Sequence, residues 1–210
     1  MEVRTQSKTV NLADLFGSIA NQLQNDRTQI NAVDANGNHG DNMAQNFEQV
    51  ARTLRRRQDQ DASTQLRAAA DELQQNGRGG SAKLYAGGLL EAAQRLQGKS
   101  GIGLDDILPL LQGLLGGIQG QTQAQPGQGT LLDTLLPAIS SFANARSSGT
   151  DTQIAISNAL NAALRGSQQT YQQPPMYGNR SQQVQLPRRD PGAASANSLL
   201  EGLFNTFRNL

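Results

Sequence analysis

INAVDANGNHGDNM, residues 30–43, is the stretch on which the reading of this chain turns. Ile30 and Val33 end an apolar pattern, residues 34–41 collect turn-forming side chains that stop helix propagation, and Met43 begins a new apolar pattern. The expected unit is therefore helix, short polar loop, helix. Upstream, Leu12, Leu15, Phe16, Ile19 and Leu23 recur at helical spacing, and Asn11 with Asp14 forms a capping pair, so a helix is expected to start near Asn11. A polar stretch separates it from Ile30. Downstream, Met43, Phe47, Val50 and Leu54 share one face, with Asp41 expected as N-cap. Arg52, Arg55, Arg56 and Arg57 fall at the far end, where cations suit the helix dipole, and read as a solvated helix end.

Further along, Leu66, Ala69, Ala70 and Leu73 predict a helix between Ser63 and a stop at Gly77. Gly79-Gly80-Ser81 opens another, with Leu84, Tyr85, Gly88, Leu89, Ala92 and Leu96 suited to close packing and Gly98 as terminator. Residues 104–118 are apolar around most of a helix circumference and are expected to be buried, with a kink or restart at Pro109. A Gln- and Gly-rich loop at 119–129 precedes two helices, 130–146 and 150–165, joined by a Ser-Ser-Gly turn. Residues 167–189 read as a low-complexity loop or flap. The last helix begins near Pro191 and is expected to bury Leu199, Leu200, Leu203, Phe204 and Phe207. Strand-like alternation is hard to find. The fold class is thus all-α, with about eight helices in one domain spanning 1–210.

Composition limits the functions on offer. With 36% hydrophobic and only 4% aromatic residues, the core must come mostly from Leu, Ile, Val and Ala. Eighteen basic against 17 acidic residues leave a net charge of +1, too small for the field of a nucleic-acid or anionic-membrane protein. The absence of Cys excludes disulfides, thiolate zinc sites and cysteine nucleophiles, and a single His excludes a multi-His metal site. No secretory h-region and no membrane-length apolar run is present, so a cytoplasmic protein that engages neither membrane nor nucleic acid is expected.

Asp34-x-Asn36-x-Asn38 has the opening of a calcium loop, but His39 stands at the required glycine and Gln45 at the final glutamate, which excludes that reading. Taken singly, His39 is an ordinary turn residue, Gly79-Gly80 a helix start, and Asp190-Pro191-Gly192 a turn into a helix with Pro at its first position. Their order is more specific. Residues 30–43, then 79–94 (GGSAKLYAGGLLEAAQ), 125–138 (QPGQGTLLDTLLPA) and 189–195 (RDPGAAS) follow one another with a familiar order and spacing. In this the chain resembles the DhaL-type nucleotide-binding domain of the dihydroxyacetone (glycerone) kinase family, whose signature runs Asp, spacer, Asp-x-Asp, His-Gly-x-Asn-Met.

The resemblance implies an antiparallel eight-helix barrel whose loops, at one end, hold ADP or ATP with magnesium ions between Asp side chains and the phosphates. It implies phosphoryl transfer to dihydroxyacetone, directly or through a partner subunit that binds the substrate. His39, Gly40, Asn42, Gly80, Ser81, Thr130, Asp190, Pro191 and Gly192 match the nucleotide-binding segments. Asp34 matches the first metal Asp, whereas Asn36 and Asn38 stand where two further carboxylates belong. An amide oxygen can coordinate a metal but adds no charge. At about 4 Å and an effective dielectric near 20, each lost charge weakens attraction to a dication by several kcal/mol before screening. Gln128-Gly129 replaces the family's Asp-Lys, Ala82-Lys83 its Gly-Pro, and residues 176–185 lack its Arg-bearing lid sequence. These departures argue against Mg²⁺ and imply a degenerate member that binds a nucleotide or a protein partner. The alternative is an active phosphotransfer subunit.

Overall fold

Asn11 starts the first helix by accepting the Ala13 N–H on its side-chain oxygen at 2.7 Å. Helix α1 then runs Leu12–Val33. The polar stretch after Leu23 does not break it, because Ile30 falls two turns beyond Leu23 on the same face and both are fully buried. Helix α2 spans His39–Arg55, α3 Ala62–Asn76 and α4 Ser81–Arg95, and a C-terminal helix, α5, spans Pro191–Arg208. This computed structural model describes residues 9–99, 102–103 and 191–208. Between them it describes 106, 109–110, 113–114, 137–138, 140–142, 144–145, 147–151, 154–155, 157–159, 161–162 and 165.

Helix boundaries correct two expectations. The N-cap of α2 is Asn38 rather than Asp41, which lies in the first turn. Helix α3 is capped by Asp61, whose carboxylate accepts the Thr64 N–H at 3.1 Å, so Ser63 is already inside it. The strands that the sequence hid are β1, Thr9–Val10, and β2, Ile102–Gly103, paired antiparallel. Two residues are too few for a period-2 pattern to register. Among the described residues the architecture is otherwise helical, in keeping with the all-α class. The expected turn between the later helices appears as Ser148-Gly149, with Gly149 at φ +74° and the Thr150 N–H bonded to Ala145 O. The flap at 167–189, the loop at 119–129 and the side chains of Phe204 and Phe207 lie outside the described residues.

The core follows the apolar stripes. Helix α1 packs against α2 and α5, α2 against α3, and α3 against α4. Phe47 of α2 stacks on Phe16 of α1, with ring centroids 6.2 Å apart, and meets Tyr85 of α4 edge-on at 5.1 Å. Glycines set the close approaches. Gly113 lies where a Cβ would sit 2.3 Å from Ala92 Cα in α4, and Leu110 just before it is fully buried, as expected of the 104–118 segment. Gly202 brings α5 against Ile19 of α1 in the same way.

Between α1 and α5 lies a small polar cluster. Gln22 Nε2 donates to Asp26 Oδ2 at 2.9 Å and to Glu201 Oε2 at 3.0 Å, and Ser198 donates to Asp26 Oδ2 at 2.7 Å. Burial, and then the neighbouring Asp26, push the Glu201 carboxyl above its ordinary value. A carboxyl whose folded pKa is raised binds its proton more tightly in the folded state. Stability therefore falls as pH rises from the ordinary Glu value through the folded one, and the loss persists above it. Glu201→Gln, which keeps an acceptor for Gln22, is expected to raise Tm at neutral pH and to give no advantage below the ordinary carboxylate range. Melting curves across pH check this, and a Tm gain that is the same at both ends would contradict it.

Candidate functional site

The start of α2 is where the sequence-selected residues gather. An α-helix begins with backbone N–H groups that have no partner within the helix. Here Asp34, at the C-cap of α1, folds back so that its Oδ2 accepts the N–H of Asn38 and of His39, both at 3.0 Å. Asn31, a turn earlier, accepts the N–H of Gly40 at 2.8 Å and of Asp41 at 3.2 Å on Oδ1, and donates from Nδ2 to Asp41 Oδ2 at 3.0 Å. The Asn42 N–H closes onto Asn38 O, the first bond of the helix itself. These donors are thus met by the end of α1 and by α2 itself. The Asn38 N–H holds the Asp34 carboxyl below its ordinary value against a smaller effect of burial, with the His39 N–H adding to it.

Asn36 and Asn38 are exposed, and Asn38 Oδ1 accepts from Asn42 Nδ2 at 3.2 Å. Gly37 between them takes φ +67°, and its N–H closes a turn onto Asp34 O. Gly40 is buried where α2 crosses α1, and a Cβ there would lie 2.3 Å from Arg27 O.

The other segments approach this end from α4 and α5. Gly79 adopts φ +72° beside the Asn42 amide, Gly80 is the exposed N-cap of α4, and Ser81 donates to Met43 Sδ at 3.6 Å. The intervening loop is held by Asn46 of α2, fully buried, whose amide donates to Arg78 O and accepts the Arg78 N–H, each at 2.8 Å. Pro191 is the first residue of α5. One turn on, Ser195 donates to Gly192 O at 2.9 Å and lies 3.3 Å from His39 Nε2. Which of His39 Nε2 and Ser195 Oγ donates depends on the imidazole tautomer. Tyr85, beneath, is buried, and among the described residues its hydroxyl meets no hydrogen-bond partner. Burial pushes it far above its ordinary value, tempered by nearby Ser195.

The structure thus draws His39, Gly40, Asn42, Gly80, Ser81, Pro191 and Gly192 toward the N-terminal ends of α2, α4 and α5, while Thr130 and Asp190 lie outside the described residues. Asn31, Asn46 and Ser195 do the positioning. Sequence reading missed Asn31 and Asn46; for Asn46 the available signal was an amide beside the apolar stripe of Met43, Phe47 and Val50, and Asn31, between Thr28 and Asp34, carried none.

Magnesium requires near-octahedral oxygen ligation, and carboxylates supply the charge that draws it. The donors present do not fit: one Asp34 oxygen is taken by two N–H groups, and Asn36 and Asn38 are neutral. Among the described residues no group of three or more His, Asp or Glu side chains converges to hold an ion. A cleft of about 510 Å³ at the opposite end of α2, about 25 Å away for a helix of this length, is lined by Arg56 and Arg57 but also by Asp59, Asp71 and Glu72. Three carboxylates against two guanidinium groups do not suit a polyphosphate.

These loops and their order can be compared with known proteins. The sequence matches the DAK2 domain over residues 35–205. The chain belongs to the DAK2-domain family. A curated relative is the ADP-binding subunit DhaL of the PEP-dependent dihydroxyacetone kinase of Escherichia coli (strain K12), 22% identical over 201 residues, covering 95% of this chain and 96% of that protein. The fold is similar to part of the dihydroxyacetone kinase of C. freundii in its native form, at TM-score 0.66 and 22% identity over 97% of this chain. The same enzyme in complex with AMP-PNP and Mg²⁺ gives TM-score 0.64 and 21% identity over 98% of this chain. The chain spans only 36% of the length of that kinase. No helix among its described residues is long and apolar enough to cross a membrane.

Proposed function

We propose that this chain is a single DAK2 domain whose loop end binds ADP or ATP, or a protein partner, with magnesium-dependent phosphoryl transfer impaired. His39, Gly40, Asn42, Gly80, Ser81, Thr130, Asp190, Pro191 and Gly192 would line the nucleotide cleft, and Asp34, Asn36 and Asn38 are the degenerate metal positions. The observation that carries this reading is the use of Asp34 as a cap for α2, beside two exposed amides. With Oδ2 held by two helix N–H groups, Asp34 has only Oδ1 left to offer an ion, and no second carboxylate stands at the other two positions. A dihydroxyacetone-binding kinase subunit is the partner to test first, given the end-to-end match to an ADP-binding subunit. That same match supports the second reading, an active phosphotransfer subunit working through bound ADP or ATP.

Calorimetry of ADP binding, with and without Mg²⁺, separates the two. The wild type is expected to bind ADP with an affinity that Mg²⁺ barely changes. Asn36→Asp with Asn38→Asp restores two anionic oxygens, and Mg²⁺ is then expected to tighten ADP binding by about tenfold or more, a change of about 1.4 kcal/mol. Tight magnesium-dependent binding by the wild type would overturn the impaired reading in favour of the second.

A further inference from the structure

We infer that Asn31 is the positioning residue that makes the α1–α2 loop independent of divalent cations. Its amide does two opposite things in one place. The oxygen, identified by the N–H groups of Gly40 and Asp41 that point at it, closes the start of α2, and the nitrogen donates to Asp41 Oδ2 at 3.0 Å. A carboxylate at this position keeps the first function and loses the second, because an ionised acid has no hydrogen to donate. It also sets a negative oxygen against that of Asp41, with Asp34 already committed to the neighbouring N–H groups. Such a group of acids around one helix start repels itself at neutral pH, and a cation among its oxygens relieves that repulsion. Asn31 removes that requirement while leaving the backbone geometry of His39, Gly40 and Asp41 in place. The inference deepens the proposed loss of magnesium chemistry and rests on it for taking this loop as the ligand-facing one, but its test needs no nucleotide.

The test is thermal unfolding of the full chain in EDTA and in excess MgCl₂ or CaCl₂, for the wild type, Asn31→Asp, Asn31→Ala, and Asn31→Asp combined with Asp41→Asn. The wild type is expected to melt at the same temperature in every buffer. Asn31→Asp is expected to melt several degrees lower in EDTA and to recover at least half of that loss with either cation. Asn31→Ala lowers Tm equally in all buffers, since it removes the bonds without adding charge. The exchanged pair, which returns an amide donor opposite a carboxylate, regains most of the wild-type Tm in EDTA and no longer responds to cations. A wild-type Tm that rises with Mg²⁺ or Ca²⁺ overturns the inference. So does an Asn31→Asp variant as stable as wild type in EDTA, or one that cations fail to rescue, including one that does not fold with cations present. Calorimetric failure of the ADP reading alone leaves these melting results unaffected, so the two can fail separately.

Discussion

Replacing Phe47 by alanine is expected to destabilise the fold by about 4 kcal/mol, the usual cost of a buried Phe→Ala change. Phe47 is 2% exposed and sits between Phe16 of α1 and Tyr85 of α4, so its loss removes a stacked and an edge-on ring contact together. Each such pair is worth about 0.5–1.5 kcal/mol beyond the area buried. Little relaxation is available, because the neighbours on α2, Met43, Val50 and Leu54, are themselves buried at 1% exposure or less. For a chain of this size the change corresponds to a drop of about 8–16 °C in Tm. Urea unfolding followed by circular dichroism measures it. A loss below about 1 kcal/mol would mean that the three rings do not form a packed centre.

Gly40→Ala is the second large effect, and its sign runs against ordinary helix propensity. Alanine in place of glycine inside a helix normally stabilises by about 0.5–1 kcal/mol. At this position the added methyl would lie 2.3 Å from Arg27 O and 2.9 Å from Arg27 C and Cα, all of them backbone atoms of α1 that no side-chain rotation can move. The two helices must therefore separate, and overpacking of that kind costs about 3 kcal/mol. The separation also pulls Gly40 and Asp41 away from Asn31. The expected result is a Tm lower by about 6–12 °C. Gly37→Ala, where φ is positive but nothing lies within 4 Å, serves as the comparison, with a smaller loss arising from backbone strain alone. If Gly40→Ala were neutral or stabilising, the close crossing of α1 and α2 would be refuted. The glycine of the His-Gly pair thus has a packing reason for its presence that is separate from any ligand.

How far the sequence could be read depends on whether a residue's partner is near it along the chain. The apolar stripes of α1 and α2 follow from spacing alone, and Leu15, Phe16, Leu23, Met43 and Leu54 are all fully buried. The cap Asn11, met two residues on, and Pro191 as first residue of α5 were equally legible, whereas Asp61, met by Thr64 three residues on, was not. The N-cap of α2 was not, because choosing Asn38 over Asp41 requires knowing that α1 continues to Val33 and turns its last side chains back. Asn46 and Ser195 were illegible for a stronger reason: Asn46 finds Arg78 32 positions away, and Ser195 meets His39 from 156 positions away. A buried amide on an apolar stripe reports that a partner exists but not which one. Of the candidate site, motif order singles out the glycines and His39 as candidates, whereas nothing in it marks Asn31 or Asn46, which hold that end of α2 and the α3–α4 connection in place.

The pairing of Asn46 with Arg78 has a kinetic consequence. Arg78 belongs to the short connection between α3 and α4, where backbone N–H groups ordinarily trade their hydrogen for deuterium quickly. Its N–H is instead bonded to a side chain with no exposed surface, rooted in the middle of α2. Water and base catalyst reach that hydrogen only when the bond to Asn46 opens, so this one amide of the connection is expected to exchange more slowly than its exposed neighbours. An amide that looks peripheral along the chain would then record how often the connection parts from the buried middle of α2.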